Sequence, residues 1–380
     1  SKDNLMSRRE YKAFSEKMGM RFLGYYTEDL KHNDDRFLFF HDLQRNNPAT
    51  LKDYLEERDD RKFFFVSHNY RRFKEATGYF DFTDTIETFV AREQTVPVKV
   101  AIVDEAQDLT SLQWKMVWTA FRNCERLYIA GDDDQAIYEW NGADVQALLN
   151  VHGEQIILDK SYRLPDNLLE YAKGISCRIK NRVDKEYHGT GDTGRIVPLV
   201  SLGAVPELDE SQGWLFLARN RYHLKGIKEE LESRGLLYTD KGGLSIKPSE
   251  MDLINLYGRH LAGDTIPAEK MRTLRSMLKY PDKKIPWYEN FDWTKERLSY
   301  IIGFRERNLG DMETKIRVST IHGAKGGEAE NVVVLRDVTL RVYKNLQKNP
   351  DSENRVFYVA FTRAKKNLFL IEPSGKYHYR

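Results

Sequence analysis

The chain has 380 residues, 41% hydrophobic and 31% charged, a composition that excludes a disordered polymer and suits two or three globular domains of about 100–200 residues each. Its 60 basic and 58 acidic residues leave a net charge of only +2, so any nucleic-acid face must be a local concentration of Lys and Arg. No apolar stretch reaches the roughly 20 residues that span a bilayer, there is no secretory apolar core, and Cys124 and Cys177 lack disulfide or metal-ligand spacing, so a reducing, cytoplasmic setting is expected.

Residues 1–95 are rich in aromatics and charge and read as a mostly helical accessory region, with helices around 7–17 and 51–58. From residue 96 short apolar runs alternate with helical segments. Strands are expected at 98–103, 127–130, 155–158, 214–218, 316–320, 332–335 and 368–371, and helices at 112–121, 145–149, 168–179, 224–233 and 356–364. Buried strands alternating with helices indicate an α/β fold with parallel sheets. A polar segment at 263–313, with Pro281 and Pro286, reads as an insertion that interrupts the second α/β domain. The expected division is 1–95 accessory, 96–155 first α/β domain, 156–262 with 314–380 second α/β domain, and 263–313 accessory insertion.

The first strand runs into Asp104-Glu105-Ala106-Gln107-Asp108. Phosphoryl transfer needs a cation on the phosphate oxygens and a group that orients or deprotonates the attacking water. Asp104 suits Mg²⁺, held through water, and Glu105 suits the general base. The bland alternative is a solvated acidic turn. No Gly-x-x-x-x-Gly-Lys-Ser/Thr loop occurs in the chain, so the sequence carries half of an ATP site.

The next strand ends in Gly131-Asp132-Asp133-Asp134-Gln135. An amide at Gln135 can hydrogen-bond a γ-phosphate. Tyr138 and Trp140 offer flat faces for base stacking, worth roughly 1–3 kcal/mol per base; the alternative is that both are core anchors, the commoner fate of an aromatic. A nuclease metal site on the three aspartates is disfavoured, because consecutive residues rarely converge on one ion.

Further on, Tyr162-Arg163 follows the run at 156–158, and a helix at 356–364 is expected to present Arg363 on its polar side. Guanidinium groups match phosphate oxygens and stabilise transition-state charge, though each arginine alone also suits a surface ion pair. The Gly-rich stretch from Ser319 to Glu328 starts at a strand end. Thr320 and His322 suit nucleic-acid phosphates and Glu328 a ribose hydroxyl; the alternative is a turn with an exposed Lys.

In this order, Val103-Asp104-Glu105-Ala106-Gln107-Asp108, Gly131–Tyr138 with Trp140, Ser161-Tyr162-Arg163, Leu217-Ala218-Arg219-Asn220, Thr320–Glu328 and Tyr358–Ala364 resemble the motifs of the UvrD/Rep/PcrA family of superfamily 1 DNA helicases, over residues from about 80 onward. The resemblance implies two RecA-like domains, the first incomplete here, with ATP and Mg²⁺ between them and steps along single-stranded DNA or junctions, generally 3′ to 5′, in repair or replication, with room for a protein loading partner. It assigns Asp104 to Mg²⁺, Glu105 to the water, Gln135, Arg163 and Arg363 to the γ-phosphate, Glu328 to the ribose, Trp140 and Tyr138 to bases, and Thr320 and His322 to the DNA backbone. The family's phosphate loop precedes any residue present, so a segment of about 100 residues is expected upstream, the first-domain sheet is expected to be partial, and the chain alone is expected to be inactive. Gly327 stands where the family usually has an apolar residue, and the insertion is shorter than the family's. A helicase-like scaffold that binds DNA or a partner without hydrolysis is the alternative function.

Overall fold

The aromatic runs of the N-terminal region fold inward. The computed structural model describes residues 4–22, 34–51, 60–307 and 312–380, and the chain divides into two units, Ser1–Ile157 with Ile179–Asp184 and Leu158–Arg178 with Lys185–Arg380. In the first unit, α1 (Arg8–Met18), α2 (Asp35–Asn46), α3 (Pro48–Leu51), α4 (Asp60–Thr77) and α5 (Phe82–Ala91) surround a core that includes Phe14, Phe37, Phe39, Leu43, Phe63 and Tyr70. A Ser7–Glu10 capping box starts α1 where the sequence places a helix. The helix expected at 51–58 begins with Leu51 in α3, and its remainder lies outside the described residues.

Charge ties α2, α4 and α5 together. Arg45 reaches Asp81 at 3.0 Å, Asp84 at 2.5 Å and Glu87 at 2.7 Å, and Lys74 reaches Asp81 and Asp84, each at 2.6 Å. Burial alone would raise the Asp81 carboxyl, but Lys74 and Arg45 outweigh it and hold its pKa down to about 2.

The same unit continues with β1 (Val100–Val103), α6 (Ser111–Phe121), β2 (Arg126–Ile129) and α7 (Val145–Leu149). β1 and β2 run parallel, Val100 opposite Arg126 and Val103 opposite Ile129. Among the described residues this sheet has two strands and leaves Val100, Ile102 and Tyr128 exposed, the partial sheet expected from the sequence. The strand expected at 155–158 does not form: Ile156 and Leu158 are 77% and 81% exposed. An apolar, β-branched run becomes a strand only where a neighbour exchanges backbone hydrogen bonds with it, and among the described residues this run has none.

The second unit holds α8 (Asp166–Ser176), β3 (Arg195–Leu199), β4 (Trp214–Ala218), α9 (Arg221–Ser233), β5 (Thr239–Asp240) and β6 (Gly243–Leu244). It goes on through α10 (Pro248–Ala262), α11 (Ala268–Ser276), α12 (Trp287–Asn290) and α13 (Lys295–Arg307) to β7 (Ile316–Thr320), β8 (Ala329–Leu335), α14 (Leu340–Lys348), α15 (Pro350–Phe361) and β9 (Ala364–Ile371). Its sheet has the order β3-β9-β8-β4-β7-β5-β6, parallel throughout except for the β5–β6 hairpin. β4 is buried at every residue, as a strand covered on both faces requires. α10–α13 build a separate core from Ile254, Tyr257, Leu274, Phe291, Tyr300 and Phe304.

Both units are α/β or rest on parallel strands, in agreement with the fold class read from the sequence. Among the described residues no helix is long and apolar enough to cross a membrane.

Replacing Arg45 by Ala leaves its carboxylates without their guanidinium and is expected to destabilise the first unit by about 3 kcal/mol, read as a lower urea midpoint. Asp81 has a depressed folded pKa, so its stabilising effect is complete above the ordinary value of 3.8 and is lost as pH falls toward about 2. An acid titration of unfolding should show that loss in wild type and a smaller one in Lys74→Met.

Candidate functional site

The tips of β1 and β2 are joined by backbone. Ala130 N–H donates to Val103 O at 2.8 Å and Ala106 N–H donates to Ala130 O at 3.0 Å. Asp104 and Glu105 follow β1, both exposed, and Asp104 Oδ1 accepts from Glu105 N–H at 2.8 Å. Glu105 has φ 51, one of two described non-glycine residues in the left-handed region, the other being Glu93. A side chain held there stores strain, and such strain concentrates at functional positions.

Gln107, 1% exposed, links this carboxylate to the second strand end. Its Nε2 donates to Glu105 Oε2 at 2.5 Å and its Oε1 accepts from Asp132 N–H at 3.0 Å, while Gln135 Nε2 donates to Asp132 Oδ2 at 2.6 Å. Glu105, Gln107, Asp132 and Gln135 thus form one connected chain of hydrogen bonds. Gly131 makes room for it: a Cβ at that position would lie 2.7 Å from Gln107 Oε1. The sequence reading picked out Glu105 and Gln135 but missed Gln107 and Asp132 as the link; a Gln two residues after the Glu was the available signal.

The three aspartates do different work. Asp132 belongs to the chain just described, Asp133 Oδ2 accepts from Val183 N–H at 2.9 Å, and the fully buried Asp134 is bidentate on Arg182 at 2.8 and 2.7 Å. Among the described residues no group of His, Cys, Asp and Glu is arranged to hold a metal ion by itself. An exposed carboxylate at a strand end, as in Asp104, still fits a Mg²⁺ that retains most of its waters.

Tyr138 is half-buried, and burial, then the Asp108 and Glu105 carboxylates, push its phenol up. Trp140 packs against the helical core and stacks on Phe39 with ring centroids 6.2 Å apart. This packing is the core role named for Trp140, with one ring face on Phe39.

In the second unit the strand pairing separates the other candidates. Trp214 of β4 lies opposite Ile316 of β7 and Asn331 of β8, and Ala218 lies opposite Thr320 and Leu335. Thr320 and His322 are therefore at the carboxyl end of the sheet. Glu328 precedes Ala329 at the amino end, about 16 Å away along a five-residue strand. Thr320 Oγ1 accepts from Gly323 N–H at 3.1 Å, and a Cβ on Gly323 would lie 2.7 Å from Ser319 Oγ.

Arg163 meets Glu328: Nε donates to Oε2 at 2.6 Å, and Ser161 Oγ accepts from Arg163 N–H at 3.3 Å. Lys365 Nζ contacts the other Glu328 oxygen. Lys365 was not singled out in the sequence.

Arg363 departs from expectation. α15 ends at Phe361, so Arg363 lies beyond the helix and 2% exposed rather than on a polar helical side. Its Nε donates to Val359 O at 3.0 Å, Nη1 to Gly327 O at 3.4 Å and Nη2 to Thr362 Oγ1 at 3.1 Å. Residues 353–361 are all buried, because α15 is enclosed rather than amphipathic. Arg163, Glu328 and Arg363 still gather on one turn, Gly327–Glu328. Arg219, 4% exposed, is bidentate on Glu353 at 2.7 and 2.9 Å, a buried pair that pins the end of β4 to α15.

A strand ending in a strained acidic turn, and a parallel sheet that brings arginines onto a glycine-rich turn, define a two-domain α/β protein of the helicase class. Residues 15–155 match the UvrD/REP helicase N-terminal domain and residues 219–374 the UvrD-like helicase C-terminal domain. The chain is 26% identical over 178 residues to DNA helicase II of Haemophilus influenzae, covering 43% of this chain and 24% of that protein. It is 34% identical over 116 residues to DNA helicase II of Escherichia coli, covering 29% and 16%, and 24% identical over 216 residues to the ATP-dependent DNA helicase PcrA of Leuconostoc citreum, covering 52% and 27%. The chain belongs to the UvrD/Rep/PcrA family of superfamily 1 helicases. It spans about a quarter of the length of the curated relatives it matches.

Substituting Gly131 by Ala forces Gln107 away from Asp132 and is expected to destabilise the first unit by about 1–3 kcal/mol, measured by thermal unfolding. Gln107→Ala should cost a similar amount, and the two losses should not add, since both break one link.

Proposed function

We propose that this chain carries part of an ATP-dependent DNA helicase motor. The observation that supports this reading above all is the Glu105–Gln107–Asp132–Gln135 chain, which holds a base and a phosphate-sensing amide in one network. Gln107 keeps the Glu105 carboxylate aimed, so that Glu105 accepts a proton from the attacking water as it adds to the γ-phosphorus and the bond to the β-phosphate breaks. Asp104 would hold Mg²⁺, which supplies charge neutralisation at the phosphates. Gln135 would donate to a γ-oxygen while its contact with Asp132 links phosphate occupancy to Glu105 through Gln107.

In the second unit Arg163 and Arg363 would stabilise charge on the transferring phosphoryl group, and Glu328 would accept from the ribose. Arg363 reaches a phosphate only by releasing carbonyl contacts, of which the 3.4 Å one to Gly327 is the longest. Thr320 and His322 would position single-stranded DNA or a junction by its backbone, while Tyr138 and Trp140 would stack on bases. The separation of Thr320 from Glu328 along β7 gives each ligand its own end of the sheet, so movement of this unit would carry the DNA end with it. The direction, 3′ to 5′, is proposed from the family alone.

Glu105→Gln, introduced into the protein that contains these residues, is expected to retain ATP binding and to lose DNA-stimulated hydrolysis by at least about 100-fold. Unchanged turnover would remove Glu105 from its role, and absence of DNA-stimulated turnover in the parent would favour a DNA-binding scaffold. These 380 residues assayed by themselves, with no loop to cradle the β-phosphate, are expected to show no turnover.

A further inference from the structure

Glu328 has both carboxylate oxygens on cations, Oε2 on Arg163 at 2.6 Å and Oε1 on Lys365. The three residues come from the segment before α8, the turn before β8 and the start of β9, so only the fold brings them together. Their side chains are 36%, 36% and 40% exposed, open enough for a ligand to reach them. Lys365 above all, against the opposing effect of burial and with help from the Arg163 charge, holds the Glu328 carboxyl below its ordinary range, so the carboxylate is ionised at neutral pH.

An ionised carboxylate bridging a guanidinium and an ammonium occupies the place where a phosphate group would make the same contacts. A polyphosphate brings more negative charge and more acceptor oxygens than the single carboxylate it would displace. We propose that Glu328 is a resident counter-ion that holds Arg163 and Lys365 until a polyphosphate chain takes its place, and that Lys365 is a further phosphate-binding residue. The proposal rests on the nucleotide reading of this face but on none of its hydrolytic chemistry.

The exchange has a direct consequence. While Glu328 occupies the cations, the apparent affinity for phosphate is lowered by the fraction of molecules in which they are free. Once displaced, the carboxylate is released to accept from another donor, so phosphate binding and any ribose contact by Glu328 become successive events. Arg363, committed to the carbonyls of Val359 and Gly327, stands outside this exchange.

The test is calorimetric titration of the 380-residue chain with inorganic tripolyphosphate and, separately, with ATP. Glu328→Gln should bind tripolyphosphate about three- to tenfold more tightly than wild type. The gain should vanish when Arg163→Gln is added. Glu330→Gln removes the same charge two residues away, where the carboxylate accepts from Gly213 N–H at 2.8 Å, and should give no gain. Lys365→Met should bind about threefold more weakly than wild type, with Lys365→Arg restoring the loss. Unchanged or weaker binding by Glu328→Gln, or an equal gain in Glu330→Gln, would overturn the counter-ion role. A gain for tripolyphosphate without one for ATP would keep that role and remove the nucleotide reading. Equal binding by Lys365→Met and wild type would remove Lys365 as a phosphate ligand.

Discussion

One buried amide decides how the first unit's strand ends behave. Gln107 has a donor and an acceptor at fixed separation, and it places the donor on Glu105 and the acceptor on the Asp132 amide. A buried polar group left without partners costs on the order of 1–3 kcal/mol, so both contacts are held together or lost together. Gly131 follows from that demand, because a side chain there would occupy the place of the Gln107 oxygen. The left-handed backbone at Glu105 is held by the same arrangement: the chain turns sharply between β1 and the buried Ala106–Gln107 pair. An exposed carboxylate held by the Gln107 amide results.

The second unit is organised by the direction of its strands rather than by one contact. β7 and β8 both run parallel to β4, so the eight residues between Thr320 and Ala329 return from one end of the sheet to the other. A stretch that looks like a single motif in sequence is divided in space, with Thr320 and His322 at one end and Glu328 at the other. At that second end each group has a local partner: Glu328 takes two cations, and Arg363 takes carbonyls. An unpaired cation beside other cations raises the free energy of the fold, so the guanidinium and ammonium groups at this end are each held against an acceptor.

Much of this was legible in residue order. Helices and strands of the second unit fell near their expected places because parallel strands covered on both faces leave continuous apolar runs, as at 214–218 and 332–335. The acidic strand end at 104–105 and the amide at 135 stood out as residue types that phosphoryl transfer uses, and the structure joins 105 and 135 in one hydrogen-bonded chain. The misses have physical causes. The run at 155–158 has the composition of a strand, yet strand formation depends on a partner that composition does not describe. Arg363 looked exposed because a helix reaching residue 364 would turn it outward; α15 stops at Phe361 and the turn buries it. Trp140 carried two readings, and its packing against Phe39 is the core one.

What the sequence by itself determined was the α/β class, the order of motifs and the types of side chain each strand end carries. These are local properties: periodicity, composition and adjacency survive in one dimension. The tertiary structure alone decided the pairings: Gln107 between Glu105 and Asp132, Glu328 between Arg163 and Lys365, Arg219 on Glu353. Residues 328 and 365 become neighbours because strands β8 and β9 lie side by side, with Ala329 opposite Ala364, and residue 163 reaches them from the segment before α8. Hydrogen bonds and ion pairs act over a few ångströms of space, and nothing in their strength depends on separation along the chain.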